Sequence, residues 1–386
     1  MATKISILGS TGSIGRQTLD VIRENPEHFD IVALTAGANY NLLTEQAKEF
    51  LPQFVAIEDA SKREALESQL SGLPIRVLVG PSGIMEAASL ASDISLVAIV
   101  GMAGLKPTLA AIESTKCLAI ANKESVVVGG RLILERAHAR GVTILPVDSE
   151  HNGLYQLLEG RDIKTVSQVI ITASGGPFRG KKISDLKVAT LEQALKHPNW
   201  SMGPKNTIDS ATLFNKGLEL IEASILFNLP HERIDAWVHP ESIVHGMIQL
   251  ADGSLLMHAS RPNMCVPIAH ALFWPERGAS GISSLDCKTM AKLTFEEIDH
   301  ETFPAFSLAR QCLDAGEWAC VVYNTANEEA VQAFLDGRIS FLQVMSIVQK
   351  VLGLAHSCHW KTADEVCAFA ASIRHVTLKA IQADCI

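Results

Sequence analysis

The sequence predicts an α/β protein in three parts: a doubly wound parallel sheet, a central α+β part with a mainly open sheet, and a C-terminal helical bundle. Short apolar strands alternate with helical patterns as far as residue 148, which is typical of a parallel sheet with helices on both faces. Consecutive strands around one helix then replace this alternation, and only helical periodicity remains after residue 300. In the first part, we expect ligands at the carboxyl ends of the strands.

The length of the chain indicates how many domains it has, and its net charge limits the classes of partner it can bind. At 386 residues the chain exceeds one typical domain, and its 47% hydrophobic residues are enough for several cores. We expect domains at 1–148, 149–273 and 301–386, joined by a linker at 274–300. The net charge of −9 argues against nucleic-acid and anionic-membrane partners. Any phosphate site must therefore be a local positive pocket.

The cysteines and the start of the chain predict a cytoplasmic protein. The chain is too large to need disulfide staples, and its cysteines lack metal-binding spacing, so reduced thiols are expected. They are Cys117, Cys265, Cys287, Cys312, Cys320, Cys358, Cys367 and Cys385. We find no signal peptide and no apolar run of ~20 residues.

A glycine-rich loop follows the first strand. Ile5–Leu8 is a short apolar strand, Gly9 to Gly15 is the loop, and a helix is expected over residues 17–23. A strand, a glycine loop and a helix form the Rossmann-like context that places a dinucleotide pyrophosphate at a helix N-terminus. A purely structural turn is the alternative. The second strand ends in Gly37, Ala38 and Asn39 without the acidic residue that holds an NAD ribose, so NADP is favoured.

The other expected elements follow from apolar periodicity. Strands are predicted at 31–36, 54–57, 75–79, 94–100, 117–121, 142–147, 166–172, 233–240, 242–250 and 254–259, the last two forming a hairpin. Helices are predicted at 211–223, 306–315, 318–335, 340–352 and 362–382.

Two acidic residues follow the strand predicted at 142–147. If the strand continues, Asp148 and Glu150 lie two apart on it and point to one face. Carboxylates held so close favour a shared proton or a divalent cation, and oxygen ligands suit Mg²⁺ or Mn²⁺. A solvated strand end is the alternative.

A second polar cluster begins the helix predicted at 211–223. Asp209 or Ser210 is expected as its N-cap, and Asn215, Lys216 and Glu219 fall close together on one face. Such a helix start attracts anions, and Glu219 offers a third metal carboxylate. The alternative is an amphipathic helix with a surface pair of Lys216 and Glu219.

Two loops complete the candidate site. Ser174, Gly175 and Gly176 follow a strand and allow a ligand to approach the backbone, although a plain turn has the same composition. The loop from His197 to Gly203 places turn-forming residues around Trp200. This pattern is typical of a lid that excludes water, unless Trp200 packs into the core.

Together these motifs resemble the 1-deoxy-D-xylulose 5-phosphate reductoisomerase family over nearly the whole chain. The resemblance rests on six motifs, namely Gly9–Gly15, Ala121–Ser125, Asp148–His151, Ser174–Gly176, His197–Gly203 and Asp209–Glu219. It implies NADPH- and metal-dependent conversion of 1-deoxy-D-xylulose 5-phosphate to 2-C-methyl-D-erythritol 4-phosphate for isoprenoid biosynthesis. The carbon skeleton would rearrange by retro-aldol cleavage and re-addition before hydride reduction.

The resemblance also assigns residue roles. It implies a metal site at Asp148, Glu150 and Glu219, which join Lys123 and His197 as catalytic residues. Implied substrate contacts are Ser149, Glu150, Ser174, His197, Trp200, Ser210, Asn215, Lys216 and Glu219. Implied cofactor contacts are Ser10, Thr11, Gly12, Ser13, Ile14, Gly37, Ala38, Asn39, Asn122, Lys123, Glu124, Gly203 and Met264.

Three further expectations come from the resemblance. The hairpin at 242–259 would lie in the sheet of a homodimer, and His245 near the active site. The family often has a basic residue where this chain has Ala38, so Asn39 and Ser10 are the expected contacts of the NADPH 2′-phosphate. From its helical pattern, and not from the resemblance, the C-terminal bundle is expected to have a structural rather than a chemical role. The proton-transferring group stays open among His151, His197, His245 and the substrate hydroxyls.

Two other functions remain as alternatives. A semialdehyde or acyl-phosphate dehydrogenase has a similar glycine-rich start but needs an activated cysteine near a histidine, and neither Cys117 nor Cys265 fits well. A regulatory NADPH-binding protein without turnover would not need three clustered carboxylates.

Overall fold

The computed structural model describes residues 2–200 and 202–384. Contacts divide the chain into two compact units. Unit 1 comprises Met1–Ser125, Ile133–Asn152 and Asn263–Ser283, and unit 2 comprises Val126–Leu132, Gly153–Pro262 and Ser284–Ile386. These units group residues by contact, so the predicted domain limits at 148, 273 and 300 stay a prediction.

The strands form two sheets. Their bounds are β1 Thr3–Leu8, β2 Phe29–Ala36, β3 Phe54–Ile57, β4 Arg76–Val79, β5 Ser92–Val97, β6 Thr115–Ile120, β7 Thr143–Pro146, β8 Val166–Ala173, β9 Ile234–Val238, β10 Val244–Leu250, β11 Leu255–Ala259 and β12 Glu296–Glu297. Every strand predicted from periodicity is present, most within two or three residues of the expected bounds.

The helices follow the same chain order. Their bounds are α1 Ser13–Glu24, α2 Tyr40–Phe50, α3 Arg63–Gln69, α4 Gly80–Ala88, α5 Leu105–Ile112, α6 Lys123–Arg140, α7 Ser149–Leu158, α8 Ile183–Leu186, α9 Leu191–Ala194, α10 Pro204–Ala211, α11 Phe214–Leu226, α12 Cys265–Phe273, α13 Cys287–Met290, α14 Ala305–Ala315, α15 Glu317–Leu335, α16 Phe341–Leu354 and α17 Ala363–Asp384. The four predicted C-terminal helices correspond to α14–α17, which confirms that prediction.

Unit 1 contains a seven-stranded sheet in the order β4-β3-β2-β1-β5-β6-β7. All of its strand pairs are parallel, as the alternation of strands and helices predicts. The order reverses at β1, so the glycine loop after β1 lies at the switch point of the sheet. Dinucleotides bind at this place in doubly wound folds.

Unit 2 contains a five-stranded mixed sheet in the order β11-β10-β8-β9-β12. Only β8 and β9 pair in parallel, and β10 and β11 form the predicted antiparallel hairpin. The segment predicted as a linker contributes α13 and β12, and β12 pairs with β9.

The helix predicted at 211–223 is two helices. Leu213 adopts a left-handed backbone conformation (φ 56°), which interrupts the helical backbone between α10 and α11. The expected N-cap at Asp209 or Ser210 is therefore wrong: both residues lie inside α10, and Gly203 occupies its N-cap position.

One aromatic pair lies in the core of unit 2. The rings of Phe214 and Tyr323 stack with centroids 3.9 Å apart, and the buried Tyr323 hydroxyl donates to the carbonyl oxygen of Ala305 at 3.1 Å. A Cβ on Gly217 would lie 2.0 Å from that hydroxyl, so only glycine fits there. The pair thus joins α11, α14 and α15.

Within residues 2–200 and 202–384, none of the helices has both the length and the apolar character needed to cross a membrane.

We expect Tyr323→Phe to lower the free energy of unfolding by about 1 kcal/mol, because it removes the buried hydrogen bond from the Tyr323 hydroxyl to the Ala305 carbonyl oxygen. Urea denaturation measures the change. Tyr40→Phe makes the same chemical change at a partly exposed position of unit 1 and serves as the control. Equal stability of the two variants would contradict the assigned role of the Tyr323 hydroxyl.

Candidate functional site

The glycine loop of unit 1 leaves the N-terminus of α1 open to a ligand. Gly9 has φ 95°, and a Cβ there would lie 2.7 Å from the carbonyl oxygen of Ala98. A Cβ on Gly15 would lie 2.4 Å from the Gly9 oxygen, so both positions require glycine. Gly12 caps α1 without a side-chain hydrogen bond, which leaves the first backbone N–H groups to a ligand. The loop therefore fits a pyrophosphate.

Among the other residues of the glycine loop, Ser10 uses its side chain for hydrogen bonds inside the protein. It is fully buried, and its hydroxyl donates to Gln46 Oε1 at 2.8 Å or to the carbonyl oxygen of Thr35 at 3.2 Å. Thr11 and Ile14 are partly exposed and Ser13 is exposed. The engaged hydroxyl of Ser10 makes it a poor contact for a 2′-phosphate.

The three residues that follow β2 are exposed and none of them is positively charged. They are Gly37, Ala38 and Asn39. Asn39 accepts a hydrogen bond from the Leu42 amide at 3.2 Å and caps α2, which leaves its side-chain NH₂ for a ligand. The Glu58 carboxylate lies nearby, with Oε2 3.9 Å from the place of a Cβ on Gly37. Asn39 is therefore favoured over Ser10 as the 2′-phosphate contact.

Asn122 organises the next strand end. Its side chain is buried, caps α6 by accepting from the Ser125 amide, and donates to the carbonyl oxygens of Ile99 and Gly101. The Asn122 amide therefore fixes the loop after β5. The neighbouring Lys123 and Glu124 side chains are largely buried, so they do not form an exposed ion pair on the surface.

The strand argument for the acidic pair is also wrong, because β7 ends at Pro146 and α7 begins at Ser149. Asp148 lies just before α7, and its Oδ1 accepts from the Glu150 amide at 3.2 Å. Glu150 lies in the first turn of the helix, where its Oε2 accepts from the Ser149 hydroxyl at 3.0 Å. A helix start, rather than a strand face, positions the two carboxylates.

Asp148 is held from both sides. Lys123 Nζ donates to Oδ2 at 2.9 Å, and the fully buried His151 places Nδ1 2.9 Å from Oδ1. A lysine and an imidazole that bond one carboxylate fix its orientation, as outer-sphere groups do around metal ligands. Unit 1 thus presents a preorganised carboxylate with Glu150 two residues away. Met264, an expected cofactor contact, is partly exposed at the N-cap of α12 in the same unit.

In unit 2, two hydroxyls converge on one histidine. His197 Nε2 lies 3.0 Å from the hydroxyl oxygens of both Ser174 and Ser210. Gly176 has φ 66°, and a Cβ there would lie 2.6 Å from the Ser210 carbonyl oxygen, so the glycine loop packs directly against α10. The three polar side chains predicted from separate motifs therefore form one cluster.

The hydrogen bonds of His197 define its tautomer. Nδ1 accepts from the backbone amides of Asn199 at 3.2 Å and Trp200 at 2.9 Å, so the ring proton lies on Nε2. Burial lowers the pKa of His197 from 6.5 to about 4, so the ring is neutral at pH 7. His197 is thus a neutral donor toward the serine hydroxyls or an anion.

The loop that carries His197 is attached to a turn after β9. Asn199 Nδ2 donates to the Pro240 carbonyl at 2.6 Å and to the Ser242 hydroxyl at 2.9 Å. Trp200 is half-buried and meets the ring of His245 edge-on, with centroids 6.5 Å apart. Trp200 therefore covers His245 rather than filling the core. Ser201 lies outside the described residues, and Gly203 is exposed.

The first two turns of α11 carry Glu219, the third carboxylate of the candidate site. Glu219 is fully buried; its Oε1 accepts from Asn215 Nδ2, and its Oε2 pairs with the Lys216 ammonium. This pair is buried on both sides, so the alternative of a surface pair is wrong. The Lys216 ammonium thus balances the negative charge of the buried Glu219 carboxylate.

The donors suit a hard divalent cation and NADPH. In each unit a lysine already supplies positive charge to a buried carboxylate oxygen, and the candidate ligands are all oxygen atoms. Neither Cys117 nor Cys265 is activated for a dehydrogenase mechanism, since burial raises the pKa of Cys117 to about 12 and also raises that of Cys265. Cys385 lies outside the described residues.

Three polar contacts were missed or left without a role. From the sequence, His151 was only one of several candidates for proton transfer. Asn199 was only one of several turn-forming residues in its loop. Asp209 is bonded by Asn327, 118 residues away. The available signal was a group of polar residues, Asn324, Thr325 and Asn327, inside an apolar helix pattern. Local periodicity marks such residues as exceptions but does not name their partners.

We expect His197 to contribute to the pH dependence of stability. In the unfolded chain His197 binds a proton near pH 6.5, whereas in the folded chain it does so only near pH 4. Lowering the pH from 6.5 to 4 therefore favours the unfolded state. The difference in unfolding free energy between wild type and His197→Asn should be constant above pH 6.5 and shrink as the pH falls to about 4. Urea titrations at several pH values measure it. A difference that is constant from pH 4 to 8 would contradict a buried, neutral His197.

Family models match most of the chain. They are 1-deoxy-D-xylulose 5-phosphate reductoisomerase over residues 5–130, its C-terminal domain over residues 144–227, and the DXP reductoisomerase C-terminal domain over residues 259–376.

Curated relatives and solved structures agree with these matches. The 1-deoxy-D-xylulose 5-phosphate reductoisomerase of Pelodictyon phaeoclathratiforme is 49% identical over 90% of this chain and 91% of its own length. That of Agathobacter rectalis is 44% identical over 94% of this chain and 96% of its own length. The enzyme from Zymomonas mobilis in complex with NADPH has a TM-score of 0.93 at 40% identity and covers 99% of both chains. A DOX-P reductoisomerase in complex with NADPH, fosmidomycin and magnesium has a TM-score of 0.93 at 38% identity over 98% of both chains. This chain belongs to the 1-deoxy-D-xylulose 5-phosphate reductoisomerase family.

Proposed function

We propose that this chain converts 1-deoxy-D-xylulose 5-phosphate to 2-C-methyl-D-erythritol 4-phosphate through a divalent cation bound by Asp148, Glu150 and Glu219. The convergence of Ser174 and Ser210 on the neutral His197 carries the proposal, because it forms a built anion site in the unit that also holds Glu219. Relatives in crystals contain NADPH and magnesium, which supports both cofactors for this chain. The oxygen ligands suit both Mg²⁺ and Mn²⁺.

The bound cation polarises the ketone of the substrate, and NADPH supplies the hydride that reduces the rearranged aldehyde. The chain itself orients the metal ligands. Lys123 and His151 hold the Asp148 carboxylate, and Asn215 and Lys216 hold Glu219. Because these carboxylates are fixed before a ligand arrives, little reorganisation is needed when charge develops.

The phosphate is held away from the reacting carbons. We assign its contacts to Ser174, Ser210, Asn215 and Lys216, with the Nε2–H of His197 as a neutral donor. Binding energy from this remote group can position the carbon chain and close the loop at 197–203. Trp200 then excludes water from the site. Since His197 is neutral, with its Nδ1 already accepting two bonds, it positions the substrate and does not transfer a proton.

NADPH is assigned to the glycine loop after β1. The pyrophosphate meets the N-terminus of α1 at Gly12 and Ser13, and the 2′-phosphate meets Asn39 at the end of β2. The other proposed cofactor contacts are Thr11, Ile14, Gly37, Ala38, Asn122, Lys123, Glu124, Gly203 and Met264.

A homodimer and a cytoplasmic location complete the proposal. The edge strand β11 exposes Leu255 and Met257, and an open, partly apolar edge is a surface that a second copy could cover. The β10–β11 hairpin is the assigned interface.

We expect Asp148→Asn and Glu219→Gln each to lower kcat/KM by more than about 100-fold. Loss of a group that only hydrogen-bonds a metal ligand lowers activity by about 10–100-fold, and loss of the ligand itself should have a larger effect. NADPH oxidation on addition of 1-deoxy-D-xylulose 5-phosphate measures it, with Mn²⁺ and after chelation. Glu67→Gln, on the exposed face of α3, is the control. Turnover that survives chelation would exclude the metal-dependent reaction.

We expect Ala38→Lys to lower the KM for NADPH by up to about fivefold, because an exposed pair with the 2′-phosphate is worth at most about 1 kcal/mol. The KM for NADH should not fall, since NADH lacks that phosphate. Ala38→Met adds similar length without charge and should leave the NADPH value unchanged. Equal gains for both cofactors would place the 2′-phosphate elsewhere.

A further inference from the structure

We propose that Asn327 and Asp209 form a positioning pair through which the C-terminal helix α15 holds Ser210 in the phosphate site. The inference rests on the proposed function, because the site it positions is the assigned phosphate site. It gives the C-terminal helices a part in substrate binding, whereas the sequence indicated a structural rather than a chemical role.

The contact is direct and buried. Asn327 Nδ2 donates to Asp209 Oδ1 at 2.7 Å, and the two side chains are 0% and 1% exposed. Lys205 Nζ lies 2.8 Å from the other carboxylate oxygen, one turn earlier on α10. A buried carboxylate is costly unless its oxygens are satisfied, so this arrangement strongly favours one position of α10 relative to α15.

The position of α10 in turn sets the position of Ser210. This helix has eight residues; it follows the loop at 197–203 and ends at Ala211, two residues before the left-handed Leu213. Ser210 is the next residue after Asp209, and its hydroxyl lies 3.0 Å from His197 Nε2. Its carbonyl oxygen would lie only 2.6 Å from a Cβ on Gly176. A small shift of α10 therefore changes two contacts of the phosphate site.

The composition of α15 supports a role beyond packing. Asn324, Thr325 and Asn327 are buried at 0%, 1% and 0% exposure in a helix whose other buried residues are mainly apolar. Apolar side chains of similar volume would pack two helices without the cost of desolvating a carboxylate and an amide. A positioning requirement at Asp209 accounts for the amide at 327.

The test compares Asn327→Leu with the exchanged double variant Asp209→Asn/Asn327→Asp, in the holoenzyme with NADPH and Mn²⁺. We expect Asn327→Leu to lower kcat/KM for 1-deoxy-D-xylulose 5-phosphate by about 100-fold, the effect of a misplacement of about 1 Å. Its Kd for inorganic phosphate should rise, while its Kd for NADPH stays at the wild-type value. The exchanged variant keeps one carboxylate and one amide in contact, so it should recover a large part of the loss.

Two controls separate positioning from stability. Tyr323→Phe removes the hydrogen bond from α15 to α14 but keeps the ring that stacks on Phe214 of α11, so it should lower stability without changing the phosphate Kd. Gln332→Leu removes an amide from the exposed face of the same helix and should change neither quantity. If Asn327→Leu loses stability but keeps wild-type kcat/KM and phosphate Kd, the proposal is overturned.

If Asn327→Leu does not fold, the exchanged variant is compared with Asp209→Asn alone. Activity and phosphate binding that are no better in the exchanged variant would equally reject the pair. Phosphate titration also separates this inference from the proposed function. A wild-type chain that binds phosphate but does not oxidise NADPH with 1-deoxy-D-xylulose 5-phosphate refutes the assigned reaction, and the phosphate Kd of the variants still decides the role of Asn327.

Discussion

A carboxylate withdrawn from water needs positive charge or hydrogen-bond donors, and this requirement arranges the functional residues in both units. Lys123 and His151 satisfy Asp148 in unit 1, and Asn215 and Lys216 satisfy Glu219 in unit 2. The desolvation cost of such groups is repaid only by well-aligned partners, so each carboxylate has few accessible positions. A metal ligand benefits from this restriction, because its geometry is set before the cation binds.

The proposed anion site adds neutral donors to the charge of the Lys216 ammonium. His197 is held neutral by burial, and two backbone amides bond its Nδ1, so its Nε2–H is available to hydroxyls or to a phosphate. The same bonds shape the loop at its start, and Asn199 attaches it to the turn at Pro240 and Ser242. Ligand binding and loop conformation therefore depend on the same few hydrogen bonds.

The C-terminal helices extend this arrangement. Tyr323 joins α11, α14 and α15, and Asn327 donates a hydrogen bond to Asp209, which precedes Ser210 of the proposed phosphate site. One face of α15 thus supports both helices that carry the assigned phosphate contacts. A chain without these helices would keep the relevant residues but lose the groups that fix their positions.

The sequence by itself determined the features that depend on neighbouring residues. The alternation of strands and helices, the glycine turn after β1, the β10–β11 hairpin and the four C-terminal helices all follow from local periodicity and turn chemistry. Most candidate residues were identified because they follow strand ends, where ligand sites form. Helix starts were less certain: Asp148 precedes a helix rather than continuing a strand, and Leu213 divides one predicted helix into two.

Only the tertiary structure decided which partner each polar group has. The tautomer of His197, the burial of the Lys216–Glu219 pair and the bond from Asn327 to Asp209 depend on residues brought together by folding. The physical reason is that periodicity reports which side of an element is buried, whereas hydrogen bonds and desolvation depend on the atoms that meet it from distant parts of the chain.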